Sequence, residues 1–279
     1  MTGVQTCALP ILLQESGRFD EAIVHAQRAV KLDPGDAEAH ASVARALAAL
    51  GQDEAALAAW QKAIALAPDR ADFYVGVGGV WTRLGRLGDS ESALRRALEL
   101  SPHHVGARFT LGSVLEQAGR FQEAEGCYRQ VLHVHPENAD VHVTLARVLD
   151  AQGRLGEAEQ TVKHALAFDP QNPSAHLVLG ALRASEGRFR EGEQSYREAL
   201  RCQPHCAQAY FNLANIKRYT GLQDTDVQAI DALLARPEIP ESDAAQLHFA
   251  LGKICNDCGA YEKAFCHYRE GNALKHRCA

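Results

Sequence analysis

Apolar residues recur at i, i+3, i+4 and i+7 along most of the chain, as in Leu111, Val114, Leu115 and Ala118. That is the period of helices with one buried stripe. The helical stretches are interrupted at fixed intervals. Prolines at 34, 68, 102, 136, 170 and 204 stand 34 residues apart, and glycines at 17, 51, 85, 119, 153, 187 and 221 keep the same spacing. Two interleaved ladders of this period signify a repeated helix–turn–helix unit. Each repeat is numbered 1–34, with the glycine at 15 and the proline at 32. Repeats then end near residues 36, 70, 104, 138, 172 and 206, and a seventh opens at 207. Positions 1–14 predict a first helix and positions 18–31 a second. The glycine allows a left-handed residue after the first helix, and the proline stops the second.

Size follows the same period. Position 8 is always small: Ala44, Gly78, Gly112, Ala146, Gly180, Ala214 and Gly252. Positions 20 and 27 are nearly all Ala, Gly or Ser, which predicts two helices crossing closely there. Bulky residues stand at 24 (Trp60, Leu94, Tyr128, Val162, Tyr196, Tyr268) and at 17 (Phe19, Leu87, Phe121, Leu155, Phe189, Tyr261). They are expected to fill gaps between neighbouring repeats.

Small at 8, Gly at 15, aromatic at 17, Ala at 20, aromatic at 24, Ala at 27 and Pro at 32 together resemble the tetratricopeptide repeat. The resemblance covers nearly all of residues 12–221 and again 245–275. It implies an all-α fold, a right-handed α-solenoid of antiparallel helix pairs. It also implies a protein–protein interaction scaffold that holds a protein or peptide in its concave groove and does no chemistry. In such an array the groove is lined by first-helix positions 2, 5, 9, 12 and 13. The candidates here are Arg45, Arg83, Phe109, Glu116, Arg147, Asp150, Phe211, Asn215 and Arg218. The Lys and Asn clamp of chaperone-tail binders is missing from positions 5, 6 and 9. The asparagine ladder of protein glycosyltransferases is missing from position 6.

The period breaks after Gly221, and four residues are inserted before Gly259. Residues 222–244 are expected to hold a divergent helix, about Asp226–Ala235, and a Pro-containing loop. Asp243 and Gln246 suggest a capping box for the next helix, and residues 245–279 a terminal helix pair. LHFALGK and REGNALK in this region resemble the last repeat of bacterial tetratricopeptide–sulfotransferase fusions. The resemblance implies the substrate-recruiting part of a sulfotransferase that uses 3′-phosphoadenylyl sulfate (PAPS), whose catalytic domain would begin beyond Ala279. Its PRSGT-like phosphate loop is not in this sequence.

Composition narrows the picture. Net charge is −6 with no basic stripe, so nucleic acid is not an expected partner. No apolar run of membrane-spanning length exists, so no membrane partner is expected either. Eight cysteines scattered over 279 residues suggest reduced thiols in a cytoplasmic protein rather than a disulfide framework. Residues 1–11, MTGVQTCALPI, resemble a translated sequencing adapter and are set aside as a non-native segment. Cys255, Cys258, Cys266 and His267 invite a metal reading. Cys255 holds a core position and a single CxxC has no second pair, so no metal is expected. His40, His142, His176 and His248 share position 4, which suggests architecture. No catalytic set or cofactor loop can be placed, so no catalytic and no cofactor-binding residue is assigned.

Overall fold

A computed structural model describes residues 18–277. The 1–11 segment, Gly17, Cys7, Cys278 and the start of the first repeat lie outside the described residues. All fifteen described elements are α-helices, and they fall into two compact units that divide after Pro136. The first unit holds α1 (Phe19–Leu32), α2 (Ala37–Ala49), α3 (Asp53–Leu66), α4 (Ala71–Arg83), α5 (Leu87–Leu100), α6 (Val105–Gln117) and α7 (Phe121–Val134). The second holds α8 (Ala139–Ala151), α9 (Leu155–Phe168), α10 (Pro173–Ser185), α11 (Phe189–Cys202), α12 (Ala207–Ile216), α13 (Thr225–Leu234), α14 (Glu241–Asp257) and α15 (Tyr261–Arg277). The fold is the expected all-α solenoid of helix pairs. First helices run over positions 1–13 and second helices over 17–30, so the second begins one residue earlier than expected.

The turn inside each pair explains the glycine ladder. Gln52 N–H donates to the Leu47 carbonyl at 2.9 Å and Gly51 N–H to Ala48 at 3.2 Å, closing the last turn of α2. That closure requires a left-handed residue, and Gly51 has φ 72°. Gly221 departs from the series, because it is not among the positive-φ glycines. Helix α12 already stops at Ile216, where Lys217 turns extended at ψ 137°.

The close crossing is a ring seated on a glycine. A Cβ on Gly112 would lie 2.7 Å from the Tyr128 ring, on Gly180 2.5 Å from Tyr196, and on Gly252 2.7 Å from Tyr268. Position 24 therefore packs mainly on position 8 of its own pair, not between repeats as expected. Where position 8 is Ala146, position 24 shrinks to Val162. Trp60 stands opposite Ala44 and reaches instead into the next pair, where a Cβ on Gly76 would lie 2.2 Å from its indole. Position 20 seals the same crossing, since the buried Ser90 hydroxyl donates to the Gly78 carbonyl at 2.8 Å.

Polar side chains lock one pair to the next, again in period. Position 34, just before the next pair begins, reaches back to position 2 of its own repeat. Asn172 Nδ2 donates to Asp140 at 3.0 Å, Arg70 to Glu38 at 3.1 Å, and His104 Nε2 meets Asp72 at 2.8 Å. Position 4 reaches the proline carbonyl that precedes its helix. Tyr74 donates to Pro68 at 3.1 Å, and His40 and His176 lie 3.1 and 3.0 Å from Pro34 and Pro170. Arginine at position 16 pairs with an acid three residues on and with one in the preceding pair. Arg120 contacts Glu123 and Glu91, both at 2.7 Å, and Arg188 contacts Glu159 at 2.7 Å.

Two local expectations are corrected after Gly221. The divergent helix is Thr225–Leu234, one residue earlier at each end, because the Asp224 side chain caps it at Asp226 N–H. The Asp243–Gln246 capping box does not form. Pro240 starts α14, and its carbonyl accepts from Asp243 and Ala244 N–H at 3.0 and 2.9 Å. Asp243 thus lies inside the first turn.

The ring-on-glycine contact is testable by a size exchange. Gly112→Ala alone should cost about 1–3 kcal/mol by overpacking. Adding Tyr128→Val should recover part of that loss, since Ala146 with Val162 is the same solution elsewhere in the chain. Native-state hydrogen exchange over α6 and α7 reads both changes. Strictly additive effects would show that the two residues do not share the contact.

Candidate functional site

Within each unit the first helices lie side by side. In the first unit α4 touches both α2 and α6, and in the second α10 touches α8 and α12 while α12 packs on α14. Second helices make no comparable contact with one another. Within each unit the first helices therefore form one face, and position 5 runs along it. That column is apolar throughout: Ala41, Val75 and Phe109 in one unit, Val143, Leu177, Phe211 and Phe249 in the other.

In the first unit the candidate residues largely serve as braces. Arg45 donates to Glu38 at 2.7 Å and to the Ser42 hydroxyl at 3.0 Å, and lies 5.9 Å from the Trp60 ring centre. Arg83 pairs with Asp53 at the start of α3. The Phe109 ring packs 5.6 Å from Tyr128, whose hydroxyl donates to Glu116 at 3.1 Å. These four hold pairs together and leave little polar capacity for a ligand.

The second unit is more open. Arg147 and Asp150 on α8 are exposed, as is Asn215 on α12, while Leu177 and Phe211 are half-buried. Arg218 is exposed but lies beyond the end of α12, not on its face as expected. Its neighbour Tyr219, at repeat position 13, is 2 % exposed and points into the protein.

What pulls Tyr219 in is a buried carboxylate that sequence reading missed. Asp226 is 3 % exposed. It accepts from Tyr219 Oη at 2.8 Å, from Arg197 Nη2 at 2.9 Å and from Lys217 Nζ at 3.2 Å. Burial alone would raise this carboxyl. Hydrogen bonds from Arg197, Tyr219 and Lys217 outweigh burial and hold it at about 2. The same burial, with the carboxylate beside it, pushes the Tyr219 phenol upward. The network stands where the seventh repeat's second helix would pack. Only its register could have revealed it: Asp226 follows Arg197 by 29 residues, the step that also separates Glu91 from Arg120 and Glu159 from Arg188.

A cavity of about 790 Å³ opens between α10 and α11, lined by His176, Arg183, Arg190, Glu193 and Arg197 among others. Arg183 donates to Ser195 at 2.9 Å and Arg197 to Asp226, so its cations are largely matched within the protein. Among the described residues, no group of three or more His, Cys, Asp or Glu could hold a metal ion. Cys255 is buried, Cys258 half-buried and Cys266 exposed. Burial pushes the Cys255 and Cys258 thiols up, so neither is an activated thiolate. His267 turns instead to His248, ring to ring. No described helix is long and apolar enough to cross a membrane.

Comparison with known proteins agrees with this architecture. The profile of a tetratricopeptide family, described as the cilia and flagella-associated protein 70 C-terminal domain, matches residues 9–210, and the chain belongs to that family. Among solved structures, PilW, a widely conserved type IV pilus biogenesis factor, superposes with a TM-score of 0.68 at 19% identity, over 74% of this chain and 96% of its own. PilF of Pseudomonas aeruginosa does so with 0.65 at 20% identity, over 74% and 94%. YrrB, a TPR protein with an unusual peptide-binding site, gives 0.54 at 21% identity, over 66% and 95%. At such identities these likenesses concern the fold alone. No curated protein sequence matches.

The Asp226 network carries a pH signature. A carboxyl held below its unfolded value adds stability above about pH 4, and that stability is lost as pH falls from about 4 to about 2. Asp226→Asn leaves Arg197 and Lys217 facing a neutral amide. It should destabilise the segment around α12–α14 by about 2–4 kcal/mol at neutral pH and remove this acid-dependent loss. Hydrogen exchange across residues 207–257, followed against pH, checks both effects.

Proposed function

We propose that this member of the tetratricopeptide family is a protein-interaction scaffold that performs no chemistry itself. It takes an extended protein or peptide segment across the first helices of its second unit. One observation supports the reading most directly. The half-buried apolar side chains Leu177 and Phe211 lie on adjacent helices, α10 and α12, with exposed Asn215 nearby in sequence on the same helix face. An apolar floor with polar groups beside it suits a peptide whose side chains supply buried area and whose backbone needs hydrogen-bond partners. The first unit's face, where Arg45 and Arg83 are already paired, is left out of this reading. The six described cysteines are all free thiols, which suits the reducing cytoplasm we assign to the protein.

A second, larger reading concerns the end of the chain. The family match stops at residue 210, and the helix pattern changes soon after, at Ile216. The two 17-residue helices that follow, α14 and α15, carry LHFALGK and REGNALK, the segments that resemble sulfotransferase fusions. In this reading the scaffold recruits the acceptor for a PAPS-dependent domain encoded downstream, and PAPS binds there rather than here.

Two experiments test these readings. In affinity capture with purified chain, Phe211→Ala combined with Asn215→Ala should weaken retention of the partner at least about tenfold, the scale of a lost hot-spot contact. Arg201→Ala, on the exposed side of α11, should leave retention unchanged. Equal retention by all three proteins would remove the binding face assigned here. For the second reading, the coding DNA past codon 279 should hold a PRSGT-like segment within a few dozen codons, and a stop codon before it removes the sulfotransferase link.

A further inference from the structure

His248 on α14 occupies repeat position 4, whose side chain elsewhere reaches the carbonyl of the proline six residues before it. In the last pair that partner is gone. Helix α14 is already helical from Glu241, and the residue six before His248 is Ser242, inside the helix. The imidazole turns instead to position 23 of the same pair, which is His267 on α15. The two Nδ1 atoms converge at 3.1 Å, with ring centres 5.4 Å apart and planes inclined at 37°. Both rings are half-buried, so one side of the pair remains open to water.

As it stands this is a hydrogen bond, one Nδ1–H donating to the other ring's Nδ1, and a metal ion can take the place of that shared proton. Zinc–imidazole bonds are about 2.0–2.1 Å long, so two histidines on one ion hold their nitrogens roughly 3.0–3.4 Å apart. Burial keeps both rings neutral, the form that binds a metal, and the Lys263 ammonium on α15 acts in the same sense, while Asp231 on α13 and Glu270 on α15 are the nearby groups that attract a cation. No third ligand of the usual kinds joins the pair among the described residues, so water would complete the shell. Imidazole donors select borderline ions over magnesium or calcium, which require oxygen.

We propose that His248 and His267 form a two-histidine clip that binds one borderline divalent cation, of the zinc, nickel or copper(II) class, and ties α14 to α15. A bound ion bridges the two helices and stabilises the terminal pair by mass action, since the unfolded chain does not hold the two rings together. Protons compete for the same nitrogens, so the clip empties in mild acid.

The test uses the full chain with its histidines labelled with nitrogen-15 and zinc chloride as the probe. At neutral pH two imidazole Nδ1 signals, assigned through the variants His248→Gln and His267→Gln, should shift together and saturate at one equivalent. The melting temperature should rise with zinc and not with magnesium, and either variant should abolish the rise. Wild-type Nδ1 signals that zinc leaves unmoved would overturn the proposal, even if a variant failed to fold. A zinc-dependent melting shift that survives both variants would also overturn it, by placing the ion at other histidines.

Discussion

In the pairs with glycine at position 8, the distance between the two helices is set by one contact, a ring or branched side chain lying on the bare backbone of that glycine. At Gly112, Gly180 and Gly252 even a single methyl would collide with the opposing tyrosine. The cost is backbone entropy, since glycine inside a helix is less favourable than alanine by about 0.5–1 kcal/mol. The return is burial of a whole aromatic side chain: Tyr128 is fully covered and Tyr196 is 3 % exposed. At about 25 cal/mol per Å² and 150–250 Å² of ring surface, that burial outweighs the glycine penalty several-fold. The contact is local to one pair, which is why it can be copied every 34 residues with small variations in size.

Burial within a pair does not say how the next pair should sit. That is decided by directional polar contacts, which are individually weak and set register through geometry. Each depends on a fixed step in sequence: 32 residues for the position 34 to position 2 link, 29 for the arginine links, and six for the link to the proline carbonyl. Most of the participating groups are partly exposed, so each contributes little stability alone. Their value is that a pair displaced along its neighbour would lose several of them together. In a stack whose stability is a sum of nearest-neighbour terms, such repeated small terms favour one register over the others.

The unequal legibility of the sequence follows from this division. Glycine, proline and small-residue ladders are visible because each has one physical solution, and the helices, their pairing and the fold class could be read from them. The reach of Tyr128 onto Gly112 was misread as an inter-repeat contact, because residue size says how much space is filled but not which neighbour fills it. The arginine column at position 16 was overlooked because charged surface residues usually vary freely, and its partner lies in another repeat. Arg218 was assigned to the first-helix face by counting through the repeat. The count failed because α12 ends five residues before Gly221, where Lys217 is drawn toward Asp224 and Asp226. Asp226 itself looked like any helix-start acid.

The break at the seventh repeat is therefore best understood as a substitution of one kind of glue for another. Without a second helix to cover it, α12 packs on α14 and leaves Arg197 facing the gap. A hydrophobic filler would leave that guanidinium with only the longer contact to Glu193 at 3.6 Å, which is costly in a partly buried site. A carboxylate one arginine-link step away satisfies it, and Lys217 and Tyr219 use its remaining acceptor capacity. Such a network is directional where apolar packing is not, so it fixes how α12, α13 and α14 meet. It also holds Phe211 and Asn215 on a short helix anchored at both ends, by the Pro204 turn through Tyr210 and by Lys217. The departure from the repeat thus places the face that carries Phe211 and Asn215 beside a hydrogen-bonded network, an arrangement that would limit the ordering cost of the binding proposed for it.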